Sequence, residues 1–242
     1  MTELRLSKKH QSILNDFVLG LQRIYPNNLS SVVLYGSAAS GEFIDKHSNI
    51  NLLVVLKDVG LDNLKLASGL VNKWGFRLIS SLFLSEDYIL SSLDVFPIEF
   101  LDMKENYVVL FGKDFLAGLS IDARNLRFQC EHELKAKLIA LKQVYLRENK
   151  NRRVLENVLF RSFISIIHIL RSALRIKGKQ VSYSKENVLG EITKEFSIDV
   201  VLWGKILAAR NKKTKYNFSE IDTLFLGFVK DLEKIVVLVD NF

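Results

Sequence analysis

The sequence predicts an α+β protein in which a small sheet-containing domain precedes an all-α helical bundle. Up to a point near residue 119, short runs of β-type residues alternate with runs of helical periodicity. Beyond that point the apolar residues recur almost only at helical spacing. The segment Gly118–Asn125 separates the two patterns, so we expect one domain at residues 1–118 and a second at residues 119–242.

The N-terminal domain is predicted to begin with a helix that Ser7 caps and that Pro26 ends. The apolar positions of this helix share helical spacing: Ile13, Leu14, Phe17, Val18 and Leu21. The next predicted elements are the strands SVVLY and INLLVVL, the helix LDNLKLASGLVNKWG, and the strands FRLISSLFL and FPIEFLD. INLLVVL is apolar on both faces, which indicates a central strand covered on both sides. Pro97 stands at the start of FPIEFLD, where a missing N–H is tolerated.

The C-terminal domain is predicted to be a bundle of antiparallel helices. Its helices are recognised by apolar stripes, by Gly178 at the end of the second helix, and by the sequences SKENVLGEITKEF and DVVLWGKILAAR. In the last helix Ser219 and Asp222 have the spacing of a capping box. The stripes are Leu134, Leu138 and Leu141; then Leu155, Val158, Leu159, Phe163, Ile166, Ile167 and Leu170; and finally Leu224, Phe225, Phe228, Leu232 and Ile235.

Composition limits the environment and the partners of the protein. The net charge is +7, which favours anionic partners such as nucleotides, nucleic acid or an anionic membrane. Cys130 is the only cysteine, so no internal disulfide is possible, and its helical context predicts a packed thiol. No uninterrupted apolar run reaches the ~18 residues of a membrane span. We therefore expect a cytoplasmic protein that does not enter a membrane.

One short stretch carries most of the functional signal. Gly36 and Ser37 follow a predicted strand and begin a turn that can present backbone N–H groups and a hydroxyl to a phosphate. The next strand carries Asn49 and Asn51, which are two residues apart and therefore point to the same face. A Gly-Ser turn alone is common in proteins, and the strand that follows makes the pattern more specific.

The segment LYGSAASGEFIDKHSNINLLV resembles the active-site segment of nucleotidyltransferases of the DNA polymerase beta type. The family pattern is a Gly-Ser turn, a spacer, and then Asp-x-Asp inside an apolar strand. The resemblance covers roughly residues 30–112 and implies a small mixed-sheet core. It also implies a third carboxylate on a later strand, and Glu99 in FPIEFLD stands where that carboxylate is expected.

In the family, three carboxylates hold Mg²⁺ ions that bind a nucleoside triphosphate and activate an acceptor hydroxyl. Here Asn49 and Asn51 replace two of those carboxylates, and an amide oxygen supplies only a dipole. Three explanations stay open: a natural pseudoenzyme, deliberate Asp→Asn changes that trap a complex, or an enzyme that uses other acids. The other acids close in sequence are Glu42, Asp45, Asp94 and Asp102.

The helical half resembles the domain that follows this core in aminoglycoside nucleotidyltransferases and in HEPN-type helical proteins. The resemblance implies that Glu131 acts as a base and that Lys135 binds phosphate, whereas their spacing of four also fits a surface ion pair. Arg161 and His168 fit the loose Arg…His pattern of HEPN ribonucleases. Because His168 stands in an apolar helical run, we favour a buried histidine.

We therefore expect a nucleotidyltransferase-fold protein that binds a nucleotide or an acceptor in a cleft between its domains, with lost or strongly impaired transfer. One alternative is an active Mg²⁺-dependent enzyme that uses Glu99 and a non-standard acid. Another is an interaction module, such as an antitoxin-like or RNA-binding protein. The partners implied are a nucleotide, a small-molecule or protein acceptor, weakly bound RNA, and a second copy of the chain.

Overall fold

A computed structural model describes residues 6–41, 43, 49–75, 78–179, 181, 185–211 and 216–242. The chain divides into two compact units, Met1–Asp122 and Ala123–Phe242. This division falls inside the segment Gly118–Asn125 that separates the two sequence patterns. Leu119 is buried in an apolar cluster of the first unit, which explains why that unit extends past residue 118.

The first unit is built around a four-stranded mixed sheet with the strand order β3-β2-β1-β4. β1 is antiparallel to both β2 and β4, and β2 is parallel to β3. The three strands predicted first are confirmed, although Phe76 and Arg77 lie outside the described residues. The elements of this unit are α1 (Lys8–Ile24), β1 (Leu29–Tyr35), α2 (Ser37–Ser40), β2 (Ile50–Leu56), α3 (Leu61–Trp74), β3 (Ile79–Ser85), α4 (Glu86–Ser91), α5 (Pro97–Glu105) and β4 (Tyr107–Gly112).

Both faces of the sheet are covered, as the apolar sequence of β2 predicts. One face packs against α1 and α3, and we call it the α1 face; its strand residues include Leu34, Leu52 and Val54. The other face packs against Phe100 and Met103 of α5, and we call it the α5 face. Because side chains alternate along a strand, Asn51 shares the α5 face with the buried Leu53 and Val55.

The prediction of a fourth strand at FPIEFLD is wrong, because these residues begin the helix α5. Pro97 occupies the first turn of the helix, where its missing N–H costs nothing. The fourth strand of the sheet is instead β4, which starts two residues after α5 ends. Ile98, Phe100 and Met103 are buried on α5, whereas Glu99 is exposed.

Helix α1 forms as its sequence predicts. The Ser7 side chain accepts a hydrogen bond from the backbone N–H of His10 and so caps the helix. The five apolar positions predicted to form its core-facing stripe are all buried. Helix α3 ends at Gly75, which adopts a φ of +61°, so the predicted end of that helix is also confirmed.

The second unit is a helical bundle in which α7 packs against α6, α8 and α10. Cys130 is fully buried on α6, as expected of a packed thiol. The capping box predicted at Ser219 and Asp222 is wrong, because Asn217 and Glu220 form the capping box two residues earlier. The helices are α6 (Ala123–Glu148), α7 (Arg152–Ile176), α8 (Lys185–Glu195), α9 (Val200–Arg210) and α10 (Phe218–Asp240).

A buried carboxylate links α9 and α10 inside the bundle. Asp231 of α10 is only 4% exposed. Its Oδ2 accepts hydrogen bonds from the backbone N–H of Asp199 and from Nε1 of Trp203, both at 3.2 Å. Its Oδ1 lies 3.0 Å from the ammonium of Lys234. Trp203 also contacts the ring of Phe228, so polar and apolar contacts hold the same two helices together.

Among the described helices, α7 is long enough and apolar enough to cross a membrane by length and composition. More than half of its most apolar window (56%) is buried inside the protein. Buried residues such as Phe163, Ile166 and Leu170 account for its hydropathy. Helix α7 therefore has the character of a core helix of a bundle.

Candidate functional site

The turn after β1 depends on the conformation of Gly36. This residue has φ +74° and ψ −147°, a region of backbone conformation that is nearly restricted to glycine. Its N–H donates to the carbonyl of Asn106 at 3.1 Å, and its carbonyl accepts from the N–H of Ser40 at 2.9 Å. The chain thus leaves the sheet and enters the single turn of α2 at once, with Ser37 as the first helical residue.

Asn49 and Asn51 lie at the start of β2, beside this turn. Asn49 directly precedes the strand and is exposed, and Asn51 is the second residue of the strand and is half-buried. Asn51 is the register partner of Tyr35, the last residue of β1. A Cβ placed on Gly36 would lie 3.2 Å from Nδ2 of Asn51, so the predicted phosphate turn and the second asparagine are in close proximity.

Glu99, the predicted third carboxylate, lies on α5 instead of on a strand. It is in the first turn of that helix, seven residues before Asn106, whose carbonyl binds the N–H of Gly36. At the rise of an α-helix this separation corresponds to about 10 Å along the axis. The expectation that Glu99 stands on a strand is therefore wrong, and any role for its carboxylate stays a prediction.

The described residues do not fit a Mg²⁺ site. Within the ranges that the structure describes, no group of three or more His, Cys, Asp or Glu side chains is arranged to hold a metal ion. Mg²⁺ sheds its water reluctantly and is held by carboxylates, whereas Asn49 and Asn51 supply neutral amides. Of the other acids considered, Asp94 is exposed and Asp102 half-buried, and Glu42 and Asp45 lie outside the described residues.

Three further polar side chains lie in register with Asn51 on the α5 face. Ser80 of β3 is the neighbour of Asn51 on one side, and Tyr35 of β1 is its neighbour on the other. Tyr107 of β4 is the register partner of Tyr35. Because register partners point to the same face, these four residues form one row across the four strands, which we call the polar row. No local sequence signal predicts it, since it exists only through strand pairing.

The members of the polar row differ in their hydrogen bonds. The hydroxyl of Tyr107 donates to Oδ2 of Asp114 at 3.0 Å. Among the described residues, no side-chain hydrogen bond is present for Ser80, Asn51 or Tyr35, and all three are half-buried. Burial raises the pKa of the Tyr35 phenol above its ordinary value, so its hydroxyl stays protonated at neutral pH and can donate.

Glu131 and Lys135 form an ion pair in the second unit. Nζ of Lys135 lies 2.5 Å from Oε1 of Glu131, and Nη1 of Arg127 lies 2.8 Å from Oε2. Lys135 also lies 3.5 Å from the carboxylate of Asp240. The hydrogen bond from Lys135 is the main cause that lowers the pKa of the Glu131 carboxyl. Because a general base near neutral pH needs a raised carboxyl pKa, this geometry favours a structural ion pair.

The prediction that His168 is buried is wrong. Both Arg161 and His168 are exposed on α7, and the adjacent Ile167 and Ile169 carry the buried face. The seven-residue spacing puts the arginine and the histidine on one side of the helix. The apolar neighbours of His168 in sequence therefore belong to a different face of the same helix.

No protein-family model matches the sequence, and no curated protein matches it significantly. The fold, in contrast, is found among solved structures. One of them is the spectinomycin adenyltransferase from Enterococcus faecialis, whose crystal structure contains ATP and spectinomycin. The two structures superpose with a TM-score of 0.59 at 13% identity, over 92% of this chain and 99% of that chain. At this identity the likeness shows the fold alone: an α+β nucleotidyltransferase core followed by a helical bundle.

Proposed function

We propose that the protein binds a nucleotide at the turn after β1 and that it has lost, or nearly lost, metal-dependent nucleotidyl transfer. The observation that carries this proposal is the pair Asn49 and Asn51 at the start of β2, with the Asn51 amide beside Gly36, in a chain with a nucleotidyltransferase fold. The adenyltransferase with the same fold was crystallised with ATP, which supports a nucleotide as the ligand.

The electrostatics of the asparagines support the loss of transfer. Two unit charges 4 Å apart interact by roughly 4 kcal/mol at the dielectric of a partly buried site. Replacing two carboxylates by amides removes two such attractions to each cation. Every 1.36 kcal/mol of lost transition-state stabilisation slows a reaction by about tenfold. We therefore expect at most a small residual rate by the family mechanism.

The predicted site residues of the first unit have distinct roles in this proposal. Gly36 lets the backbone approach the phosphates closely, and Ser37 binds them through its hydroxyl and its backbone N–H. Asn49 and Asn51 mark the former metal positions, and Glu99 is the remaining acid of the family pattern. The Mg²⁺ ions of the family pattern have no role in this proposal, because Asn49 and Asn51 are neutral.

The cellular setting belongs to the same proposal. We expect a cytoplasmic protein with a net charge that attracts anionic ligands. A small molecule or a protein would be the acceptor if any transfer remains, and a homodimer is the assembly that we expect. Size-exclusion chromatography with light scattering tests the last point directly, because it separates a monomer from a dimer of the 27.7 kDa chain.

The proposal is tested by measuring binding and transfer separately. ATP binding is followed by calorimetry, and transfer is followed with radiolabelled nucleoside triphosphates, Mg²⁺ or Mn²⁺, and candidate acceptors. We expect binding without label transfer. Transfer that vanishes in a Glu99→Gln variant, but survives in a Glu105→Gln control on the same helix, would establish the active-enzyme alternative instead. Absence of ATP binding would reject the proposal.

A second candidate function, directed at RNA, is favoured by the exposure of Arg161 and His168 on α7. An exposed histidine and an exposed arginine on one helix face can act on an RNA backbone, where the cation attracts phosphate. Incubation of the protein with labelled single-stranded RNA tests this candidate. Cleavage lost in His168→Ala and kept in His132→Ala, which changes an exposed histidine of α6, would support it.

A further inference from the structure

In the polar row, formed by Ser80, Asn51, Tyr35 and Tyr107, only Tyr107 has a side-chain hydrogen bond among the described residues. The row is the end layer of the α5 face, and the next layer of that face is apolar, with Val33, Leu53 and Val109 packed in the core. Among the described residues, no side-chain atom of the row is both buried and without a hydrogen-bond partner, so the polar atoms of Ser80, Asn51 and Tyr35 remain accessible to a ligand. Three members of the row have no side-chain partner among the described residues, and these three are adjacent on β3, β2 and β1.

Tyr107 differs from the other three members of the row because its side chain is hydrogen-bonded. Its hydroxyl donates to Asp114 within the first unit, so its proton is not available to a ligand. The hydroxyls of Ser80 and Tyr35 and the amide of Asn51 can instead donate hydrogen bonds to a ligand and accept them from it. The three members without a side-chain partner, Ser80, Asn51 and Tyr35, therefore lie on three adjacent strands, and Tyr107 follows them on β4.

The charge of the row selects the kind of ligand. Ser80, Asn51 and Tyr35 are neutral, and each can act both as donor and as acceptor. A polycationic ligand would require carboxylates here, and a bare phosphate group would require cations or a bundle of backbone N–H groups. Neutral groups that donate and accept suit hydroxyls and the edges of heterocyclic bases. A ribose with its attached base offers both.

The spacing of the row agrees with such a ligand. Neighbouring strands lie about 4.8 Å apart, so Ser80 and Tyr35 are separated by about 10 Å across Asn51. That span suits a base joined to a sugar. The Tyr35 ring packs on the apolar cluster of the α5 face, and it adds aromatic surface against which a base can rest.

We propose that Ser80, Asn51 and Tyr35 of the polar row bind the nucleoside part of a nucleotide through neutral hydrogen bonds and without a divalent cation. This inference rests on the proposed nucleotide binding and deepens it, because it names the ligand group, the residues and the independence from metal. It also assigns a function to the Asn51 amide, because an amide both donates and accepts hydrogen bonds, whereas an ionised carboxylate only accepts them.

The test uses the full chain and five probes: adenosine, guanosine, cytidine, uridine and ATP. Each is titrated by calorimetry and by saturation-transfer NMR, once with EDTA and once with Mg²⁺. We expect at least one nucleoside to bind with the same affinity in both buffers. Tyr35→Phe and Ser80→Ala should each weaken that binding by about three- to tenfold, as the loss of one hydrogen bond does.

Two matched controls lie next to these residues. Ser81→Ala changes the adjacent serine of β3, whose Oγ is buried on the opposite face of the sheet. Tyr107→Phe removes the hydroxyl that is already bound to Asp114. Both controls should change nucleoside affinity by less than about twofold, because neither takes a hydrogen bond away from the ligand.

The outcomes separate this inference from the proposed function. If ATP binds but no nucleoside does, or if ATP binds only with Mg²⁺, the inference is overturned and the nucleotide site stands. Nucleoside binding that Tyr35→Phe and Ser80→Ala leave unchanged also overturns it. If neither ATP nor any nucleoside binds, both proposals fail together.

Discussion

The backbone of Gly36 lies against the side-chain amide of Asn51, so close that a Cβ on the glycine would sit 3.2 Å from Nδ2 of the asparagine. The glycine directly follows β1 and the asparagine is the second residue of β2, and strand pairing sets their distance. Glycine is required here for two reasons. Its φ is +74°, and the Asn51 side chain occupies the space that a Cβ would need. The two halves of the sequence motif are therefore one local structure.

Replacement of this glycine should damage both stability and binding. We expect Gly36→Ala to lower the free energy of unfolding by about 1–3 kcal/mol, because the side chain would be held in a conformation that only glycine adopts readily. It should also weaken ATP binding, because the added methyl group displaces the Asn51 amide. Urea denaturation and calorimetric titration with ATP measure the two effects.

A matched control for this substitution is Gly69→Ala in α3, where nothing lies within 4 Å of the added Cβ. That change should stabilise the helix by about 0.5–1 kcal/mol and leave ATP binding unaltered. If Gly36→Ala behaved like Gly69→Ala, the turn would not have the role that we assign to it.

Glu131 should contribute to stability in a pH-dependent way. Its carboxyl has a lowered pKa, chiefly because of the hydrogen bond from Lys135. A carboxyl whose pKa is lower in the folded state contributes stability above its unfolded-state pKa, and this contribution is lost as the pH falls through the folded-state pKa. The wild-type protein should therefore exceed Glu131→Gln in stability at neutral pH, and the two should converge in acid.

Thermal unfolding followed by circular dichroism from neutral to acidic pH measures this difference. Glu133→Gln on the same helix is the control, because Glu133 accepts a hydrogen bond from Gln129 and, among the described residues, forms no salt bridge. A stability difference for Glu131→Gln that stays constant down to strongly acidic pH would contradict the ion-pair interpretation.

Asp231 should be the most important polar side chain of the helical bundle. Asp231→Ala removes the acceptor of two hydrogen bonds and leaves the indole of the fully buried Trp203 without a partner. We expect a loss of about 2–4 kcal/mol in the free energy of unfolding. Asp231→Asn keeps one acceptor oxygen and should lose less.

Tryptophan fluorescence during urea unfolding measures these losses, since Trp203 itself reports on the site. Glu233→Gln, two residues away, breaks only a surface pair with Lys142 and should change stability by at most about 0.5 kcal/mol. An Asp231→Ala variant as stable as Glu233→Gln would show that the buried carboxylate is not what joins α9 to α10.

Local periodicity was sufficient to predict most helices and strands. It failed where the same apolar residues fit both the two-residue period of a strand and the 3.6-residue period of a helix. Ile98 and Phe100 alternate as in a strand, but Met103 continues a helical spacing, and Pro97 is tolerated at the start of either element. The same limit applies to His168, whose apolar neighbours suggested burial although they occupy another face of α7. Periodicity shows that an element has a buried face, but it does not show which residues lie on that face until the type and the start of the element are known.

The candidate site was predictable only in its local part. Gly36, Ser37, Asn49 and Asn51 lie within one short segment, so their sequence pattern was visible directly. The polar row depends on pairing between strands up to 72 residues apart in sequence, Tyr35 with Tyr107, and no segment of the sequence contains it. The polar row could therefore be identified only from the strand register in the structure.

The central claim is that neutral amides have replaced the charges on which metal-dependent transfer relies. Calorimetric titration of Mg²⁺ into the ATP-saturated wild-type protein and into the Asn49→Asp, Asn51→Asp variant tests it most directly. Two restored carboxylates should strengthen Mg²⁺ binding by a few kcal/mol, or roughly 100-fold or more in affinity. Equal Mg²⁺ affinity in the two proteins, whether tight or absent in both, would contradict the account.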